Sequence, residues 1–230
     1  DDGRDDGRRT LRLFPVNLLR GAVGVFHGDN LAPLLAGGTA TAGASFFDDD
    51  VAEYIADPEH GFGKSLEDGA APEVLGLVVA GVFTTGRLVE APRFRAMSYD
   101  LLDAFLLNWG YTNVFKYAVG RERPNGQDEK SFPSGHASNA FALAAVVERH
   151  YGWKAGIPGY ALASLVGVSR LQRNKHYLSD VLAGATLGYI VGRTVVRVNG
   201  RPIDGPKGAR VSLNPVVGRR TRALMVAVTF

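Results

Sequence analysis

The chain has 230 residues, of which 46% are hydrophobic and 21% charged, and this is enough apolar material for a single domain with one substantial core. It contains no cysteine, which excludes disulfides, thiolate metal sites and a cysteine nucleophile. The net charge is only +3, but residues 193–222 hold eight Lys or Arg and one acid without interleaved aromatic residues, a pattern that argues against nucleic-acid binding.

The first third of the chain predicts a mobile start followed by short helices. Residues 1–12 open with DDGRDDGRRT, which has no apolar side chain, and we expect this segment to be mobile. Neither an initiator Met nor an apolar leader precedes it, which fits a trimmed chain or an exported protein whose signal peptide has been removed. A helix is predicted over 31–47, and the acidic run 48–50 suits the N-terminus of the helix that follows.

The centre of the chain predicts longer helices separated by Gly, Pro and polar loops. Pro72 is well placed as a first helical residue, and Gly120 ends an amphipathic pattern that starts near Arg93. A polar loop follows over 121–133. Beyond it, helices are predicted over 136–151, 156–169 and 176–197.

The C-terminal segment, residues 201–230, is basic and changes to the alternating pattern of strands. ARVSLNPVV and ALMVAVTF flank GRRTR and predict a β-hairpin. The exposed edge of this hairpin could pair with a second copy and make the protein a homodimer. The predicted fold is therefore all-α, a bundle of about six core helices in residues 13–200, with a small β-hairpin appendage in 201–230.

Four uncharged apolar stretches raise the question of membrane spanning: 31–47, 74–86, 155–169 and 181–192. A membrane span needs about 20 mostly apolar residues, and these stretches are shorter and diluted with Gly, Ala, Ser and Thr. We therefore expect them to be buried helices of a soluble bundle. The basic tail could still attract the protein to an anionic membrane surface.

Three clusters of reactive side chains lie between residues 116 and 180. KYAVGRERP places Lys116 near a helix end, seven residues before Arg123. SFPSGHAS brings Ser134, Gly135 and His136 together at a helix start. SRLQRNKHYLSD contributes Arg170, His176 and Asp180.

Together the clusters predict a phosphate site. Lys116, Arg123 and Arg170 supply three cations, and the arginines can bind phosphate oxygens through paired donors. The backbone N–H groups around Ser134 and Gly135, at a helix N-terminus, suit an anion, and Gly135 lets the backbone come close. The Ser134 hydroxyl adds a further donor.

The two histidines suit the two remaining tasks of phosphoryl transfer. Asp180 lies one turn beyond His176, where its carboxylate can accept the Nδ1–H and leave Nε2 as the nucleophile. His136 has no acid beside it in sequence and suits a general acid for the departing alkoxide. No metal or other cofactor is expected, because the three cations do what Mg²⁺ would do.

In order and spacing, KYAVGRERP, SFPSGHAS and SRLQRNKHYLSD resemble the three signature motifs of the type 2 phosphatidic acid phosphatase superfamily, which includes bacterial acid phosphatases and vanadium haloperoxidases. The resemblance spans residues 116–180. It implies an all-α bundle with the site between helices and vanadate binding as a mimic of the transition state. It also implies the same roles: Lys116, Arg123, Ser134, Gly135 and Arg170 as phosphate ligands, His136 as acid, His176 as nucleophile and Asp180 as its orienter.

The leading hypothesis is a metal-independent phosphatase that hydrolyses phosphomonoesters or diphosphates through a phosphohistidine intermediate. The apolar helices and the basic tail favour a lipid phosphate as substrate. We expect a location in the cell envelope, in the bacterial periplasm after signal removal, with an integral inner-membrane protein as the alternative. A vanadate-dependent haloperoxidase and a non-catalytic protein that binds phosphate or a membrane surface are the alternative functions.

Overall fold

The structure, a computed structural model, describes residues 8–57, 71–200, 210–217 and 222–229. Within these ranges the helices are α1 (Phe14–Gly24), α2 (Leu31–Ala44), α3 (Asp48–Ile55), α4 (Pro72–Leu88), α5 (Pro92–Val119), α6 (Gly135–Tyr151), α7 (Trp153–Gln172) and α8 (Leu178–Asn199). Short 3₁₀ turns precede α1, α2 and α3. The predicted all-α bundle is confirmed.

Local sequence signals explain where several helices begin and end. Pro72 is the first residue of α4, where a missing N–H costs nothing. Gly120 follows α5 with a φ of 59°, the left-handed conformation that glycine adopts without strain. The three acids of the run 48–50 occupy the first turn of α3, where they complement the helix dipole.

The centre of the bundle is formed by α5, α6 and α8. Ala104 of α5, Val146 of α6, and Val191 and Val195 of α8 are completely buried. Since Lys116, His136 and Asp180 lie on these three helices near one end of the bundle, the core holds these site residues in place.

Three glycines of α8 let its backbone lie directly against α6. Gly184, Gly188 and Gly192 are spaced by four residues and so share one helix face. A β-carbon at Gly188 would lie 2.0 Å from the Ser138 carbonyl oxygen, and one at Gly184 would lie 2.4 Å from the Ser134 carbonyl oxygen. Only glycine fits at these distances, and the starts of α6 and α8 are therefore held side by side.

The apolar stretch 31–47 is not buried, and the prediction that it would be is wrong. Leu35 is 61% exposed and Phe46 is 84% exposed. Helices α4 and α7 also turn large apolar side chains outward: Leu77, Val78, Ile157, Leu162 and Leu165. The prediction failed because an apolar sequence indicates only that a segment lies away from water. It does not determine whether the segment packs against protein or against lipid.

One helix of the described part, α8, is long and apolar enough to cross a membrane. Its mean hydropathy reaches 1.3 over 18 residues, and 44% of that window is buried inside the protein. A core helix of a soluble protein can meet the same criteria, so α8 by itself does not decide between membrane and solution.

The C-terminal segment contains two strands, β1 (Arg210–Val217) and β2 (Arg222–Thr229), which pair antiparallel. Residues 201–209 and 218–221 lie outside the described residues. Because the turn between the strands and their link to α8 are not described, the hairpin as an appendage of the bundle, its proposed edge pairing and the division of the chain at residue 200 stay predictions. Residues 1–7 of the segment expected to be mobile also lie outside the described residues, while Arg9 forms an ion pair with Asp100 at 2.8 Å.

Candidate active site

One cavity of about 200 Å³ collects most of the predicted site residues. It lies where α5 and α7 end and α6 begins. Six of the eight predicted residues line it: Lys116, Arg123, Gly135, His136, Arg170 and His176. The other two, Ser134 and Asp180, are fully buried beside it. The three clusters, far apart in sequence, thus meet at one place.

The cations reach the cavity from three different elements. Lys116 lies in the last turn of α5, and its ammonium donates to the Lys130 carbonyl oxygen. Arg170 lies in the last turn of α7 and is 2% exposed. Burial of this kind holds a guanidinium in one orientation, so little conformational entropy is lost when an anion binds.

Arg123 lies close to His176. Its Nε donates to Asp128 at 2.7 Å and its Nη1 donates to the Lys175 carbonyl oxygen at 3.0 Å. The same Nη1 lies 3.4 Å from His176 Nε2. A phosphate bonded to that nitrogen would therefore lie within reach of the Arg123 guanidinium.

The N-terminus of α6 supplies backbone donors to the same cavity. Ser134 directly precedes α6, and its own N–H already donates to the Asp180 carbonyl oxygen at 2.9 Å. The N–H groups of Gly135, His136 and Ala137 lie in the first turn of α6, where they have no acceptor within the helix. The oxygens of a phosphate can accept these hydrogen bonds. The Ser134 hydroxyl is buried and has no hydrogen-bond partner among the described residues.

A backbone carbonyl orients the His176 ring. Nδ1 lies 2.7 Å from the Ser131 carbonyl oxygen, which can only accept, so Nδ1 carries the proton and Nε2 carries the lone pair. Nδ1 is 3.8 Å from the Asp180 carboxylate, which is too long for a hydrogen bond. The Nδ1–H therefore donates to Ser131 rather than to Asp180, whose nearer oxygen accepts from the Ser131 hydroxyl and the Tyr177 N–H. The role of Asp180 as orienter of the ring stays a prediction.

The environment of His176 keeps its ring neutral. Burial lowers its pKa to about 4, and the positive charges of Lys116 and Arg123 act in the same direction. At neutral pH the ring therefore offers a free lone pair at Nε2. This is the protonation state that a nitrogen nucleophile needs.

The sequence did not reveal what holds Asp180. Arg121 donates to Asp180 Oδ1 at 2.9 Å and to Asp48 Oδ2 at 2.9 Å. Asp48 also accepts the Ser179 N–H at 2.9 Å. Arg121 lies inside KYAVGRERP, and its place in that motif could have identified it. Asp48 is 73 residues away from Arg121, and no local pattern connects it to the site.

One wall of the cavity was also missed. Trp109, Thr112 and Asn113 of α5 line it together with Asn139 of α6. The three α5 residues precede Lys116 by seven, four and three positions and so share its helix face. This periodicity could have identified them. The Thr112 hydroxyl is buried and unpaired within the described residues.

Two other histidines lie away from the cavity, and neither belongs to a metal cluster. His150 Nε2 is 2.8 Å from Asp100 at the opposite end of α5, and His27 caps the turn before α2. Among the described residues no group of three or more His, Asp or Glu side chains could hold a metal ion. His60 lies outside the described residues.

Comparison with known proteins gives a consistent picture of the family. The PAP2 superfamily profile matches residues 99–203. Lipid A 1-phosphatase of Porphyromonas gingivalis is 44% identical over 86 residues, which are 36% of this chain and 19% of that protein. Lipid A 4'-phosphatase of Helicobacter pylori is 37% identical over 68 residues, which are 30% of this chain and 34% of that protein. The chain thus aligns with no more than about a third of either relative.

Two crystal structures share the fold. The transmembrane PAP2 type phosphatidylglycerolphosphate phosphatase of Bacillus subtilis superposes with a TM-score of 0.63, 19% identity, and coverage of 74% of this chain and 96% of that one. LpxE of Aquifex aeolicus gives a TM-score of 0.54, 21% identity, and coverage of 64% and 93%. The PAP2 superfamily match over residues 99–203 contains every predicted residue of the phosphate site.

Proposed function

We propose that this chain is a phosphatase that removes phosphate from a lipid of the cell envelope through a phosphohistidine intermediate. The observation that carries the proposal is the convergence of Lys116, Arg123 and Arg170 with the rings of His136 and His176 on one small cavity. A space of about 200 Å³ holds a phosphate group and part of the group that bears it, but not a whole lipid. The lipid portion would lie outside the cavity.

The first chemical step is attack by His176 Nε2 on phosphorus. The Nε2–P bond forms while the bond from phosphorus to the leaving oxygen breaks, and His136 donates a proton to that oxygen. The ring of His176 becomes cationic at this point. The buried Asp180 carboxylate, 3.8 Å from Nδ1, lies where it stabilises this new charge.

The second step releases phosphate. Water attacks phosphorus, His136 takes a proton from that water, and the Nε2–P bond breaks to restore the neutral ring. The two guanidinium groups and the Lys116 ammonium neutralise charge on the phosphoryl oxygens in both steps. No step requires a metal ion.

The outward-facing apolar side chains support a location in the membrane. Helix α8 has 22 residues, which correspond to about 33 Å at 1.5 Å per residue. This length matches a hydrocarbon core of about 30 Å. We therefore favour the inner membrane over a freely soluble periplasmic protein, with the cavity near one membrane surface.

The relatives support a phosphorylated glycolipid as the first substrate to test. Two of them are lipid A phosphatases, one acting at the 1-position and one at the 4'-position by name. Phosphate release should be measured with lipid A, phosphatidate, a polyprenyl diphosphate and p-nitrophenyl phosphate. We expect the lipids to be hydrolysed faster than p-nitrophenyl phosphate, and equal rates on all four would contradict the lipid preference.

The mechanism is tested by His176→Ala, with His27→Ala as a matched control at the other end of the bundle. We expect His176→Ala to lower phosphate release at least 1,000-fold and to abolish a covalent phosphoenzyme that is stable in base and labile in acid. His27→Ala should stay within about twofold of wild type. Unchanged phosphate release in His176→Ala would remove the proposed mechanism, and vanadate-dependent bromination of a dye would favour the haloperoxidase instead.

A further inference from the structure

Helix α3 lies outside the segment that matches the family, yet it is fixed to the catalytic end of the bundle. The family match begins at residue 99, and α3 spans Asp48–Ile55. Val51 and Ile55 pack against a buried cluster that includes Leu171 and Val181. Just beyond α3, the Asp57 N–H donates to the Gln172 carbonyl oxygen at 3.0 Å.

The first residue of α3 makes the most specific contacts. Asp48 is 4% exposed, and one carboxylate oxygen accepts the Ser179 N–H at 2.9 Å. The other oxygen accepts from the Ser179 hydroxyl and from Arg121, the latter at 2.9 Å. Asp48 therefore binds the residue that directly precedes Asp180 and the arginine that binds Asp180.

Arg121 is held between two buried carboxylates. One nitrogen of its guanidinium contacts Asp180 at 2.9 Å and the other contacts Asp48 at 2.9 Å. Its planar face also lies over the Tyr177 ring, 4.0 Å from the ring centre. A guanidinium can reach both carboxylates at once because its donors diverge in one plane, and a lysine ammonium cannot reproduce this geometry.

We infer that Asp48 is a positioning residue for phosphoryl transfer, acting through Arg121 and Ser179 to hold the Asp180 carboxylate behind the ring of His176. The inference rests on the proposed function. Asp48 touches neither the cavity nor a phosphate in it, so its effect falls on the step in which the His176 ring becomes cationic. Substrate binding depends on other groups and stays unchanged.

The test compares Asp48→Asn with Asp49→Asn and Asp50→Asn. All three residues lie in the first turn of α3, but Asp49 and Asp50 are exposed. The controls remove the same charge at nearly the same place, so they report any effect of the helix dipole or of net charge. Each purified full-length variant is assayed for kcat and KM with the best lipid substrate, and kcat is referred to the number of sites that bind vanadate.

We expect Asp48→Asn to lower kcat at least tenfold with KM within about twofold, while both controls keep kcat within about twofold. In an Asp180→Asn background, adding Asp48→Asn should change the residual kcat less than twofold, because the carboxylate on which Asp48 acts is gone. A role confined to folding would lower the number of vanadate sites and would persist in that background.

Arg121→Lys tests the same inference if Asp48→Asn does not fold, because Arg121 lies in a loop and not in a helix. It should lower kcat at least tenfold, and this loss should also disappear in the Asp180→Asn background. Two results would overturn the inference. One is a loss of kcat that is as large in the Asp180→Asn background as in the wild-type background, and the other is a kcat of Asp48→Asn equal to that of the two controls. If His176→Ala retains wild-type phosphate release, the proposed function has failed instead, and the two failures are therefore distinguishable.

Discussion

Replacement of Gly188 by alanine tests whether the close contact of α6 and α8 builds the site. The added β-carbon would lie 2.0 Å from the Ser138 carbonyl oxygen and 2.9 Å from the Ala142 nitrogen, both in the α6 backbone. Backbone atoms cannot rotate away, so the two helices must separate by about 1.4 Å to bring this contact from 2.0 Å to an ordinary distance of 3.4 Å.

The expected loss of stability follows from two opposing effects. Overpacking a close contact costs about 1–3 kcal/mol or somewhat more, and replacing glycine by alanine inside a helix contributes about 1 kcal/mol of stabilisation. A contact of 2.0 Å with a backbone atom lies at the upper end of that range, so the net expectation is a destabilisation of about 2 kcal/mol. Since α6 carries His136 and α8 begins two residues after His176, we also expect phosphate release to fall at least tenfold.

Thermal unfolding and phosphate release in the same detergent measure both effects. Gly81→Ala in α4 is the matched control, because a β-carbon there has nothing within 4 Å, and it should leave activity unchanged and stability equal or slightly higher. Gly184→Ala, nearer the site, should lose more activity relative to stability than Gly192→Ala. A Gly188→Ala variant with wild-type stability and activity would refute the reasoning.

Three further outcomes are expected if the candidate site carries out the proposed reaction. Because burial lowers the pKa of His176 to about 4, kcat/KM should fall tenfold for each pH unit below about 4. A pH profile in which kcat/KM already falls below pH 6.5 would contradict this expectation. Arg123→Lys keeps the charge but loses the paired donors, and steady-state kinetics should show a fall in kcat/KM of about 10- to 100-fold, with a smaller change contradicting a direct contact of Arg123 with the transferred group. Chelation by EDTA should leave phosphate release unchanged while vanadate inhibits competitively, because Lys116 and the two arginines supply the charge that a metal would, and loss of activity restored by Mg²⁺ would refute this.

Local sequence was sufficient for much of the fold and for most of the cavity. Pro72 and Gly120 mark helix ends through their own backbone preferences, and the helical period does not depend on distant residues. Lys116, His136 and His176 could be assigned to one site because the three clusters appear in a recognisable order and spacing.

The tertiary structure decided the features that depend on which surfaces meet. The exposure of Leu35 and the ion pairs that connect Asp48 through Arg121 to Asp180 depend on contacts between residues far apart in the chain, which no period or local spacing encodes. The hydrogen bond from His176 Nδ1–H to the Ser131 carbonyl oxygen also depends on tertiary structure, since a backbone acceptor has no signature in the sequence. Side-chain chemistry is local and can be read along the chain, whereas the partner of each group is set by packing, and packing is determined only when the whole chain has folded.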